Sequence, residues 1–79
     1  MPKFMDFHPD FRVSPELVIQ LRNEATQGKV DQFGVRQLEL FHNRDGNGVY
    51  CLLEGPDEEA VRNHHNGQCG DVIRVESLL

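Results

Sequence analysis

The chain has 79 residues, enough for one domain whose modest core covers only roughly 60% of the unfolded surface. Eight Lys and Arg stand against 13 Asp and Glu, a net charge of −5, which argues against nucleic acid because phosphates call for a basic face. No apolar run approaches the ~20 residues of a membrane span, and Met-Pro-Lys-Phe-Met-Asp at the N-terminus lacks the basic-then-apolar pattern of a signal peptide, so a cytoplasmic protein is expected. Two cysteines, Cys51 and Cys69, make no disulfide framework and are expected as thiols.

Lys3 to His8 reads as a strand with Phe4, Asp6 and His8 on one face and Met5 and Phe7 on the other. Pro9 and Asp10 end it. Ser14-Pro15-Glu16 announces a helix, with a hydroxyl cap, a proline at the first helical position and then an acid. Leu17, Val18, Leu21 and Ala25 form its apolar stripe, Gly28 stops it, and Ile19 falls off the stripe, left to solvent or a partner. Gly34 to His42 alternates as a second strand, and the turn Asn43-Arg-Asp-Gly46 leads to a third over Val49 to Leu53. Gly55-Pro56 breaks that strand. Asp57 then offers an N-cap followed by Glu58 and Glu59, which suit the positive end of a helix dipole. This second helix turns Ala60, Val61 and His64 inward and is expected to close at Asn66-Gly67. Asp71 to Glu76 reads as a fourth strand. The order β-α-β-β-α-β is the ferredoxin-like α+β pattern: a four-stranded antiparallel sheet with both helices on one face, in a single domain over residues 1–79.

A four-residue turn at 43–46 pairs position 42 with 47. Arg36, Leu38 and Leu40 then share a face with Val49, Cys51 and Leu53, and this more apolar set, with Met5, Phe7, Ile73 and Val75, is assigned to the helices. Phe4, Asp6, His8, Val35, Gln37, Glu39, Phe41, Tyr50, Leu52, Glu54, Arg74 and Glu76 fall on the opposite, uncovered face, a half-apolar surface suited to a dimer.

The topology also groups chemistry. His8 ends the first strand, His42 the second and His64-His65 the second helix, while Cys69 and Asp71 open the fourth strand, so all four histidines are expected at one end of the sheet and Arg36 and Glu54 at the other. Imidazole, thiolate and carboxylate together suit nickel, zinc, cobalt or copper. His65-x3-Cys69 has no CxxC partner, which speaks against a closed structural zinc site. Blander roles compete at each position. His8 reads equally as a surface or interface histidine, His64 as a hydrogen-bonded packing residue, Cys51 as a small buried hydrophobe and Cys69 as an inert loop thiol. Asp6 and Glu54 could position water or metal, or pair with Arg36 or Arg74 across the sheet. No nucleophile motif, phosphate loop or dinucleotide fingerprint is present.

Phe4-Met-Asp-Phe-His8, Gly34-Val-Arg-Gln-Leu38, the run from Cys51 to Val61 with His64, and Cys69-Gly-Asp-Val72 together resemble a family of small bacterial ferredoxin-like proteins, formerly of unknown function, that includes a nickel-binding protein. The resemblance runs over nearly the whole chain. It implies a homodimer with nickel bound near the dimer surface, for sequestration. The family's M-D-x-H matches Met5, Asp6 and His8, its helix-borne histidine matches His64, and its C-L-x-E matches Cys51 and Glu54. Between His65 and Cys69 the chain has only Asn-Gly-Gln, shorter than in relatives, which either draws Cys69 towards the histidines or removes a ligand.

The expectation is therefore a homodimeric bacterial protein that binds a divalent transition metal, nickel first, without turnover. His8, His64 and His65 are the leading ligands, with Asp6, Cys69 and Glu54 behind them. The alternative is a dimeric α+β-barrel enzyme or small-molecule binder that uses the open sheet face, with His8 and Tyr50 in its pocket. A third is an interaction module with incidental histidines.

Overall fold

Six elements follow one another in the order read from the sequence. The computed structural model describes residues 1–9, 13–46, 48–64 and 70–79; in it β1 is Lys3–His8, α1 Pro15–Gln27, β2 Arg36–Asn43, β3 Gly48–Glu54, α2 Glu58–His64 and β4 Val72–Val75. The strands form one antiparallel sheet in the order β2-β3-β1-β4, so the two central strands are β3 and β1. This is the ferredoxin-like α+β fold.

Local chemistry explains where the helices begin and end. The Ser14 hydroxyl accepts from the Leu17 N–H at 3.1 Å, and Pro15 follows it at the start of α1. Gly28 ends α1 at φ 67°, a left-handed position that a Cβ would strain, and its N–H donates to the Ala25 carbonyl. Asp57 caps α2 by accepting from the Ala60 N–H at 2.8 Å. Among the described residues α2 runs to His64; the expected closure at Asn66-Gly67 lies outside them.

The strand register corrects the expected faces. Val49, Cys51 and Leu53 of β3 are buried, as anticipated. Opposite them in β1 stand His8, Asp6 and Phe4, so these three, and not Met5 and Phe7, look towards the helices. In β4, Val72 pairs with Asp6 and is buried, whereas Ile73 pairs with Met5 and is 58% exposed. Counting apolar side chains misplaced β1 and β4, because the chain puts a carboxylate and an imidazole where a hydrophobe would be cheaper to bury.

A bulge between Gln37 and Glu39 does the same to β2. Gln37 pairs with Leu53 and is buried, Arg36 pairs with Glu54, and Leu40 returns to the phase of Cys51. The hairpin closes with Asn43 opposite Gly48 and His42 opposite Val49, where a 42–47 pairing was expected. Gly48 is required by close approach: a Cβ there would lie 2.5 Å from the Phe7 ring.

The core is a cluster of Phe4, Val35, Val49, Cys51, Leu53, Ala60, Val61 and Val72. α2 seals it through Ala60 and Val61. By contrast α1 has no fully buried residue, Ile19 is 57% exposed, and a cavity of about 450 Å³ is lined by the half-buried Val18, Leu21 and Ala25 together with residues of β2. The other side of the sheet carries a row of aliphatic and aromatic side chains: Ile73, Met5 and Leu52 in register, then Phe7, Tyr50 and Phe41. The Phe7 and Tyr50 rings lie 4.7 Å apart.

Candidate metal centre

Asp6 and His8 are two apart in β1 and therefore project from the same face of the sheet. Cys51 lies directly opposite Asp6 in β3. The three come from the two central strands; Asp6 and Cys51 are paired on both sides, and His8 is paired with Val49. Their ligand atoms, a carboxylate oxygen, an imidazole nitrogen and a sulfur, all lie within 4.8 Å of one another. His8 Nε2 stands 3.2 Å from Asp6 Oδ1, with the Asp6 side chain fully buried and that of His8 15% exposed. An ionised carboxylate withdrawn from water costs several kcal/mol unless positive charge or donors meet it. The His8 imidazole, 3.2 Å away, meets that need when it is protonated, and a cation in the same place would meet it as well.

The donor set passes a chemical test for a borderline divalent metal. Calcium and magnesium call for oxygen shells, whereas one oxygen, one nitrogen and one sulfur match nickel, cobalt, zinc or copper. Three protein donors also leave coordination positions to other groups, as in open rather than closed sites.

The remaining predicted ligands are dispersed. His64 Nδ1 is hydrogen-bonded to Asp31 Oδ2, in the connection that leads into β2. Asp31 Oδ1 also accepts from the Phe33 N–H at 2.8 Å and the Val35 N–H at 2.9 Å. Burial pushes the Asp31 carboxyl up. The hydrogen bond from His64, the two backbone N–H groups and the attraction of the His64 charge outweigh that, and hold the carboxyl below its ordinary 3.8. A carboxylate so held only accepts, so the proton of this bond sits on His64 Nδ1.

That pairing corrects the expectation that all four histidines gather at one end. His8 and His42 both pair with Val49, at one end of the sheet, while Asp31 adjoins the start of β2 at the other. Helix α2 covers only seven described residues. At 1.5 Å per residue it rises about 10 Å, too little to carry His64 the length of the sheet. Glu54 also lies at the far end, with Arg36 Nη1 at 3.6 Å. His42 is exposed and borders the cavity under α1. His65 and Cys69 lie outside the described residues.

Two residues escaped sequence reasoning in these roles. Cys51 reads from the sequence as a small hydrophobe; it is buried, but beside Asp6 and His8. The signal for it was the coincidence of M-D-x-H and C-L-x-E motifs on strands that pair. Asp31 carried no signal of its own, because its partner lies 33 positions away.

Among the described residues, no helix is long and apolar enough to cross a membrane. No functionally curated protein matches the chain. The crystal structure of SCO4226 from Streptomyces coelicolor A3(2) is similar with a TM-score of 0.72 and 21% identity, over 98% of this chain and 99% of that one. At that identity the likeness speaks for the fold. The family model of nickel responsive SCO4226-like proteins matches residues 4–73, which spans β1 into β4 and includes Asp6, His8 and Cys51. The chain thus belongs to the SCO4226-like family of nickel responsive proteins.

Proposed function

We propose that this protein binds a divalent transition metal, nickel first, through Asp6, His8 and Cys51, and that it holds the metal rather than using it for turnover. One observation carries the reading: oxygen, nitrogen and sulfur donors stand within 4.8 Å of one another on the buried face of two central strands. The family's nickel responsiveness supports nickel as the first choice; zinc, cobalt and copper share the donor chemistry. Binding neutralises Asp6, requires a neutral His8 and displaces the Cys51 proton, so metal uptake releases protons. His64 ranks behind this trio because its Nδ1 is committed to Asp31, and Glu54 ranks last beside Arg36. His65 and Cys69 remain candidates to complete the coordination.

The protein acts in the cytoplasm as a homodimer of single domains. The row of Ile73, Met5, Leu52, Phe7, Tyr50 and Phe41 supports the dimer, since a second copy would cover it. Replacing Phe41 and Ile73 by Glu should then reduce the mass in solution to that of a monomer; an unchanged mass would reject this face.

Calorimetric titration with nickel tests the site. Binding at micromolar strength or tighter that is lost in Asp6→Asn and His8→Ala variants of unchanged fold supports the assignment, and wild-type affinity in both variants overturns it. The cavity of about 450 Å³ between α1 and β2 favours a second reading, a small-molecule binder. Its size falls in the range of such sites, roughly 300–1,000 Å³. It lies on the helix side of the sheet, so the ligand would not use the open face. A protein indifferent to metals but stabilised by small apolar compounds would favour that alternative.

A further inference from the structure

The cavity between α1 and β2 is graded in its lining. Gln37 is 8% exposed, Val18, Leu21, Ala25 and Leu40 are half-buried, and Arg22 and His42 are exposed. The lining therefore passes from one buried amide, along an aliphatic wall, to a guanidinium at the solvent boundary. Gln37 Nε2 donates to the Glu39 carbonyl at 2.6 Å, which leaves Oε1 as the unused half of the amide. No hydrogen bond from the described residues reaches that oxygen, yet it is not sealed from solvent. An acceptor in that position calls for an N–H or O–H from whatever fills the space. At the rim, Arg22 lies one helical turn from Val18 and pairs with no carboxylate among the described residues. Nearby acids are directed elsewhere. Glu24 faces Lys29 Nζ at 3.8 Å, and Glu39 pairs in register with Leu52 of the open face, which turns its carboxylate to the other side of the sheet.

We propose that this cavity binds a small apolar carboxylic acid that carries one hydrogen-bond donor, an inference that rests on the small-molecule reading above and is independent of the metal assignment. The carboxylate meets the Arg22 guanidinium, whose planar fork matches two carboxylate oxygens. The apolar body lies along Val18, Leu21, Ala25 and Leu40, and the donor reaches Gln37 Oε1. Volume limits the size. At roughly 30 Å³ per water-sized unit, about 450 Å³ has room for on the order of fifteen non-hydrogen atoms, a single fused ring system with a short acid arm. Each part of the ligand thus answers one part of the lining: charge for Arg22, surface for the aliphatic wall, a donor for Gln37.

The chain has no Trp, so an indole acid can report its own binding. Indole-3-propionate has the acid, a two-ring apolar body and one N–H. The full chain, with EDTA present to keep metal out, is titrated into a fixed low concentration of this probe while indole fluorescence anisotropy is read. Saturation with a Kd of about 1 mM or tighter is expected, the strength that ordinary ligand efficiency gives a molecule of this size. Arg22→Gln, on the exposed side of α1, should weaken binding at least about tenfold, as should replacing the probe by 3-ethylindole, which lacks the acid. 1-Methylindole-3-propionate lacks the donor and should bind at least about fivefold more weakly. Wild-type affinity in the Arg22 variant overturns the site, because an acid held elsewhere would not feel that change. Equal binding of 3-ethylindole overturns the acid class and leaves the cavity a site for neutral apolar molecules. Equal binding of the methylated acid overturns the role of Gln37. No saturation with any of the three probes removes this proposal and the small-molecule reading together, and leaves the metal assignment untouched.

Discussion

Two aspartate–histidine pairs among the described residues differ in what surrounds them. Asp31 sits in the connection before β2, its Oδ1 accepting from the Phe33 and Val35 N–H groups and its Oδ2 from His64. Both side chains are 26% exposed. This carboxylate organises a loop and ties it to the last described turn of α2. Asp6 lies instead in the middle of the sheet, fully buried, with His8 beside it and a thiol opposite. Two pairs of the same composition therefore separate by their third neighbour. Where backbone N–H groups complete the carboxylate, the pair is a clasp; where a thiol stands beside the pair, the donor set is one that could hold a borderline divalent metal.

The widest separation between them should appear in metal affinity. His8→Ala or Cys51→Ala is expected to weaken nickel binding by about 100-fold or more, while Asp31→Asn leaves it within about twofold, both read by calorimetry. Equal losses at the two pairs would erase the distinction. Acidification through the imidazole range, roughly 6.5, should release the metal, and retention at about pH 5 would point away from histidine.

Stability should divide the pairs in the opposite sense. Asp31→Ala leaves the Phe33 and Val35 N–H groups and His64 without their acceptor, and a loss of roughly 1–3 kcal/mol is expected in urea unfolding. A loss near zero would mean that water replaces the clasp without cost. The clasp also has a pH signature. Because the folded-state pKa of Asp31 lies below its ordinary value of 3.8, its stabilisation is fully present above that value and fades as pH falls through the lowered one. Asp31→Asn should flatten that acid limb of a stability-versus-pH curve. The smallest effect is a baseline: Arg62 and Glu58, an exposed pair one helical turn apart at 3.2 Å, should contribute only about 0.3–0.5 kcal/mol, checked by Arg62→Ala.

Much of the architecture was legible because it is written in short-range signals. Ser14-Pro15, Gly28 and Asp57 act within one turn of themselves, and the caps they predict are the caps observed. The faces of β1 were not legible, because period-two alternation says which residues share a side and not which side is buried. Met5 and Phe7 made the more apolar set, yet Phe4, Asp6 and His8 are the ones that pair with Leu53, Cys51 and Val49. Such inversions are expected where a site needs buried polar groups.

What the amino-acid order determined was the sequence of elements, the helix ends, the ferredoxin-like topology and the supply of imidazole, thiol and carboxylate. These follow from interactions within a few residues and from the handedness of strand connections. What only the tertiary structure decided was which of those groups meet. The β1–β3 register set Cys51 opposite Asp6, the bulge in β2 turned Gln37 inward, and the short rise from Glu58 to His64 left His64 with Asp31 and not with His8. Each of these depends on a register or a length, and a shift of one residue in a strand exchanges every side chain between the two faces.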